Sequence, residues 1–219
     1  MTESLFAQFQ RRLSALGGEV IYVDDVAQGA ELIAERARQG DGSIVVPPIA
    51  AQLIAPVGAD SLSGGVVISR PGADPGAINC AATEVAPALW QQAIPLLREM
   101  GITVKESTGA ASVADAPVGL SGAELAIAET GSLMLADNAL QARVVSMLTL
   151  THIVLISESA IVPMLDDAGA RLRELTRAGA DQRHYISLIT SSSRTSDIER
   201  VLTIGVQGPK ALCVIVVKG

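Results

Sequence analysis

Short apolar runs alternate with amphipathic stretches along almost the whole chain. Residues 3–16 set Leu5, Phe6, Phe9, Leu13 and Leu16 at helical spacing, with Thr2 as a candidate cap and Gly17-Gly18 as the stop. The pattern predicts an amphipathic helical arm over residues 1–18. EVIYV (19–23) predicts a strand, and Asp24-Asp25 open a helix that runs toward Gly40. SIVVP (43–47) and GVVIS (65–69) predict two more short strands, and the Pro- and Gly-rich residues 70–80 a loop. In the segment 84–100, Val85, Leu89, Ile94 and Leu97 form a stripe with Trp90 on or near it, and Pro95 is expected to kink or split that helix. ITV (102–104) predicts another strand. Residues 105–122 form the longest irregular stretch, too polar and Gly-rich for a core element and of the kind that often carries function.

The texture then changes. ELAIAET (124–130) and SLMLA (132–136) meet at Gly131, which predicts two extended segments joined by a tight turn. HIVLI (152–156), a helix near 163–178 ending at Gly179, YISLI (185–189), a short helix near 196–203 and ALCVIVV (211–217) follow. All-apolar strands alternating with helices predict an α/β fold with a mainly parallel, doubly wound sheet. No internal repeat or interdomain linker interrupts it, so one domain over 1–219 is expected.

Composition narrows the class. Of 219 residues 49% are apolar but only 2% aromatic, so the core must be built from Ala, Val, Leu and Ile, which suits Ala-rich helices lying close on parallel strands. A formal charge of −7, with no cluster of Lys and Arg, argues against nucleic-acid and anionic-membrane partners. Glu3 interrupts any basic leader, and Pro47, Pro48 and Pro56 break the longest uncharged stretch, so a soluble cytoplasmic protein is expected. Cys80 and Cys213 are too few for an iron–sulfur cluster or a tetrahedral zinc site and read as reduced, buried thiols. His152 and His184 are the only histidines, and neither has a second at ligand spacing, so no metal site and no cofactor are expected. Dinucleotide, P-loop and nucleophile-elbow glycine motifs are missing from the sequence, which argues against those chemistries.

Four motifs stand in order in the second half: AIAETGS (126–132), Arg143 with Ser146 and THI (151–153), SSSRTSDIE (191–199), and GVQGP (205–209). Together they resemble the LUD domain of the lactate utilisation protein C family, over residues 40–219 and most strongly in the last hundred. The family often reads GPSRT where this chain has Ser191 to Thr195, GVHGP where it has Gln207, and proline before THI where Thr149 and Leu150 stand. The resemblance implies a Rossmann-like, mainly parallel sheet of the type shared by ribose-5-phosphate isomerase, glucosamine-6-phosphate deaminase and the CoA transferases. It also implies an accessory, non-redox subunit of a lactate-oxidising system whose partners bring iron–sulfur clusters, with self-association into a homo-oligomer left open. The alternative is a stand-alone enzyme of that fold acting on a phosphorylated sugar, a folate or an acyl-CoA.

Physical chemistry places the candidate site residues. Ser191, Ser192, Ser193, Arg194, Thr195 and Asp197 follow the strand YISLI, and Ser196 with Glu199 has the spacing of a capping box. Backbone N–H groups of a helix start, with Arg194 beside them, would take a small anionic metabolite. The other reading is a turn, a plain cap and a surface ion pair. Glu129 lies in an apolar run, so it is a structural hydrogen-bond partner, a ligand contact or, by analogy with the CoA transferases, a catalytic nucleophile. Thr130 and Gly131 adjoin it. Arg143 would reach a carboxylate or phosphate, or salt-bridge an acid. His152 reads as a hydrogen-bonded core residue ahead of a catalyst. Gly205 and Gly208 make a turn ahead of the last strand, with ligand approach as a second role. Asp137 and Asn138 are candidates for the same crevice.

Overall fold

The computed structural model describes residues 3–49, 88–179, 182–196 and 202–219. The expected strand 65–69, the loop 70–80, Cys80, Asp197 and Glu199 lie outside those residues.

Twelve short strands and six α-helices follow one another as α1 (Leu5–Ala15), β1 (Glu19–Val23), α2 (Val26–Gln39), β2 (Ser43–Val46), α3 (Leu89–Glu99), β3 (Thr103–Glu106), α4 (Ala110–Val113), β4 (Val118–Gly122), β5 (Leu125–Ile127), β6 (Ser132–Ala136), α5 (Leu140–Leu148), β7 (Thr151–Ser157), β8 (Ile161–Val162), α6 (Leu165–Leu175), β9 (Ile186–Ile189), β10 (Arg194–Ser196), β11 (Leu202–Ile204) and β12 (Ala211–Val217) among the described residues. Six of the strands build a central sheet in the order β1-β12-β7-β4-β2-β3, and every pairing within it is parallel.

Both faces of a parallel sheet must be covered, and here they are covered differently. On one face lie α2 and α3. Ala30, Ala34 and Ala37 of α2 are fully buried one helical turn apart, and their small side chains let the helix sit close on Leu155 and Ile215, as a core poor in aromatics requires. The chain's one tryptophan, Trp90 of α3, completes that layer.

On the other face, Val154, Ile156, Val214 and Val216 meet Phe9 and Leu13 of α1 and the inner residues of a second, four-stranded sheet, β8-β5-β6-β9. Helix α5 fills the rest of this face over β2 and β4 through Val144 and Val145. Helix α6 closes the far side of the second sheet on Ile127 and Met134.

Several sequence expectations change. Helix α1 is capped by Ser4, whose Oγ accepts from the Ala7 N–H at 3.2 Å. Helix α3 runs unbroken through Pro95. The irregular stretch 105–122 contains β4, which is central to the parallel sheet and has Val118 and Leu120 buried. YISLI forms β9, but it pairs antiparallel with β6 in the second sheet. Most of the expected helix near 196–203 lies outside the described residues; at its described ends, Arg194–Ser196 and Leu202–Ile204 pair as an antiparallel ribbon, so Ser196 ends a strand. The tight turn expected at Gly131 is present, with β5 and β6 antiparallel and the Gly131 N–H donating to Ile127 O at 2.9 Å.

Candidate functional site

Most of the candidate residues gather at one edge of the molecule, and the backbone explains how. Gly131 has φ +71° at the tip of the β5–β6 hairpin, where a Cβ would come within 2.7 Å of the Leu13 nitrogen of α1. The next residues form a chain of hydroxyls. Thr130 Oγ1 donates to Ser132 Oγ at 2.8 Å, and Ser132 Oγ is 2.9 Å from Thr190 Oγ1 at the end of β9. The serine turn continues from Thr190. The Ser193 N–H donates to Pro209 O at 2.8 Å, and the Gly205 N–H returns to Ser193 O at 2.9 Å. Gly208, with φ +144°, lets this loop approach, since a Cβ there would stand 2.9 Å from the Ser193 Cβ and 3.7 Å from Met147 O of α5.

This cluster lies beside Lys210, whose N–H bonds Leu150 O, and Ala211, which pairs with Thr151. These residues start β12 and β7. The serines therefore border the N-terminal edge of the central strands, whereas the usual ligand crevice of an open α/β sheet lies at the C-terminal edge.

Individual side chains have specific partners. Arg194 donates to the Leu16 carbonyl at the end of α1, and its guanidinium lies against Gly17. Ser191 Oγ donates to Ser192 O at 2.8 Å, and Ser192 is buried. Thr195 is exposed on the ribbon, paired with Thr203. Glu129 is exposed too, and its carboxylate accepts from the Leu165 N–H at 3.1 Å, the first residue of α6, where it satisfies a free amide and faces the positive end of the helix. Asn138 is tied to the segment before β9, donating to Gln182 O and accepting from the His184 N–H, both at 2.8 Å.

Arg143 differs from Arg194. Its Cζ stands 3.6 Å from the centroid of the Tyr185 ring, a cation–π contact, and its Nη1 is buried with no hydrogen-bond partner. Asp137 shares this neighbourhood. Burial raises its pKa, Arg183 pulls it back, Glu124 raises it further and Arg143 lowers it.

His152, on the same face of the central sheet as α5, is 1% exposed. Its Nε2 is 2.8 Å from Ser121 Oγ of β4, while its Nδ1 is buried without a partner. Burial holds the imidazole neutral, with its pKa pulled down to about 4. Ser121 and Tyr185 escape the sequence reading, the first because it lies in a stretch that reads as irregular.

Among the described residues no helix is long and apolar enough to cross a membrane, and no group of three or more His, Cys, Asp or Glu is placed to hold a metal ion. Cys213 is a buried free thiol whose pKa burial raises to about 12.

A family model described as the LUD domain matches residues 6–217. The chain belongs to the LUD domain family. Its likeness to curated relatives is partial. This LUD domain is 35% identical over 102 residues to Lactate utilization protein C of Geobacillus thermodenitrificans (strain NG80-2), a match covering 47% of this chain and 42% of that protein. It is 36% identical over 102 residues to the protein of the same name in Geobacillus sp. (strain WCH70), with the same coverage. With Lactate utilization protein C of Shouchella clausii (strain KSM-K16) the identity is 34% over 113 residues, or 52% of this chain and 48% of that one. The matched segment thus spans less than half of each of these relatives. Over 97% of its length the LUD domain superposes on 96% of a DUF162 family protein from Deinococcus radiodurans, with TM-score 0.55 and 22% identity, a likeness of fold.

Proposed function

We propose that this chain is the accessory, non-redox subunit of an iron–sulfur lactate-oxidising system and binds a small anionic metabolite there. The observation that carries the reading is its likeness to proteins named Lactate utilization protein C, within a LUD domain match over residues 6–217. Two cysteines cannot supply the thiolates of a cluster, so iron–sulfur partner subunits carry the electrons. The buried free thiol of Cys213 suits a reducing compartment, in keeping with a cytoplasmic assembly.

The anion-binding role is assigned first to Arg143, which is the candidate cation with a buried, unpartnered donor. Thr130, Gly131, Ser191, Ser192, Ser193, Gly205 and Gly208 border the site in this reading. Arg194, held on α1, orders the edge, and Glu129 serves as a cap for α6.

Affinity purification of the tagged chain from its native host tests the assembly. Iron–sulfur proteins are expected to co-purify, and a chain that brings down none contradicts the proposal. Glu129→Gln separates a cap from a nucleophile. The amide oxygen still accepts from the Leu165 N–H, so growth on lactate is expected to stay within about twofold of wild type, the loss of one exposed charge at a helix start being worth only about 0.3–1 kcal/mol. Loss of growth by a variant that folds normally would restore the nucleophile reading.

A further inference from the structure

The face of the central sheet that carries α2, opposite α1 and the second sheet, is not filled evenly. One stripe of α2, made of Ala30, Ile33, Ala34 and Ala37, lies fully buried on the strands. A second stripe, Leu32, Glu35, Arg36 and Gln39, has the i, i+3, i+4, i+7 spacing of one helix side and stands over a cleft of about 430 Å³. β1, β12 and β7 supply its floor from adjacent positions, since Glu19 pairs with Cys213, Ile21 with Ile215 and Cys213 with Ile153. β1 is the edge strand of the sheet, so α2 has no further strand to close on there. The volume falls in the range of about 300–1,000 Å³ that small-molecule sites occupy.

The lining divides by chemistry. Ile21, Ile153 and Ile215, with the buried side chain of Cys213, give an apolar floor. On the rim Glu19 is already engaged, with Arg36 Nη2 donating to its two carboxylate oxygens at 2.7 and 2.6 Å. Glu35 and Gln39 are exposed one helical turn apart, and neither side chain has a hydrogen bond or ion pair among the described residues. Two carboxylates against one guanidinium leave the rim with one negative charge in excess. A ligand for this cleft therefore needs an aliphatic body for the floor and a cationic head for the carboxylate that is still free. We infer that the cleft under α2 binds a small aliphatic amine, its chain against the three isoleucines and its ammonium between Glu35 and Gln39. A carboxylate would be repelled at the same rim, so the site is separate in place and in charge from the anion binding proposed above.

The full chain, labelled with ¹³C in its isoleucine methyl groups, is titrated with isoamylamine hydrochloride, isoamyl alcohol and sodium isocaproate. These share a branched aliphatic chain and differ in the charge of the head. The amine is expected to move the Ile21, Ile153 and Ile215 signals saturably, and to bind about two- to fivefold more tightly than the alcohol, the worth of one exposed ion pair. The carboxylate should bind more weakly than the alcohol. Glu35→Gln should bring the amine down to the affinity of the alcohol while leaving alcohol binding as it was, a selective change that mere loosening of the fold would not produce.

Isoleucine signals that do not move saturably with the amine would overturn the site, and would mean that water alone fills the cleft. Equal affinity for all three compounds, or amine binding untouched by Glu35→Gln, would overturn it too and leave only a non-selective apolar hollow. Growth of a deletion strain on lactate judges the accessory-subunit reading independently of all these outcomes.

Discussion

Acidification is expected to cost the fold about 3 kcal/mol through His152 alone, spread between pH 6.5 and pH 4, the ordinary and the buried pKa of this imidazole. The ring is fully enclosed, so the folded chain resists its proton while the unfolded chain accepts it. The contribution is therefore complete above pH 6.5 and is lost as pH falls toward 4. Urea denaturation of wild type and His152→Gln across this range isolates it. Carboxylate titrations contribute to both proteins, whereas the steeper decline belongs to wild type. Parallel stability curves would mean that His152 titrates freely in the folded state.

The second large effect concerns the hairpin tip. Gly131→Val is expected to destabilise the fold by about 3–5 kcal/mol, because two penalties coincide. The position has φ +71°, where a β-branched side chain is strained, and a Cβ would collide with backbone atoms of Arg12 and Leu13, the nearest at 2.7 Å. Gly101→Val provides the comparison. Its φ is +80° but nothing lies within 4 Å of a Cβ there, so only the strain, about 1–2 kcal/mol, should appear. Chemical denaturation of both variants measures the difference. Equal losses would mean that α1 does not hold the hairpin, and the common ground of the candidate residues would go with it.

What the sequence revealed follows from how each element is buried. β2, β7 and β12 are dominated by Val, Ile and Leu and are buried along most of their length on both faces, and such runs read directly as strands. β1 at the sheet edge, with Glu19 and Tyr22 exposed, was legible from its β-branched core Val20, Ile21 and Val23. The β5–β6 hairpin was legible from the glycine at its tip. β4 was hidden by the residues its packing demands. Gly119 leaves room for Val145 and Thr149, Gly122 leaves room for the Trp90 ring 2.8 Å from where a Cβ would stand, and Ser121 bonds His152. Long-range contacts chose those residue types, and a local reading takes them for a loop.

The ribbon of β10 and β11 was not legible for the opposite reason. Ser196 and Glu199 have the spacing of a helix cap, yet Arg194–Ser196 pairs with Leu202–Ile204, a partner that local spacing does not reveal. The direction of β9 was equally invisible, since an apolar run carries no sign of which sheet it will join. At the candidate site, the residue types pointed to the neighbourhood of Gly131, the serines and Gly208. Which of its groups lack partners depends on three-dimensional contacts, and these set Arg143 apart from Arg194 and brought Ser121 to His152.

Growth of the native host on L-lactate as sole carbon source, with the gene for this chain deleted and then restored in trans, tests the central reading most directly. Growth on lactate is expected to fail in the deletion strain and return with wild type, while growth on a fermentable sugar is unaffected. Undiminished growth of the deletion strain on lactate would contradict a role in lactate utilisation.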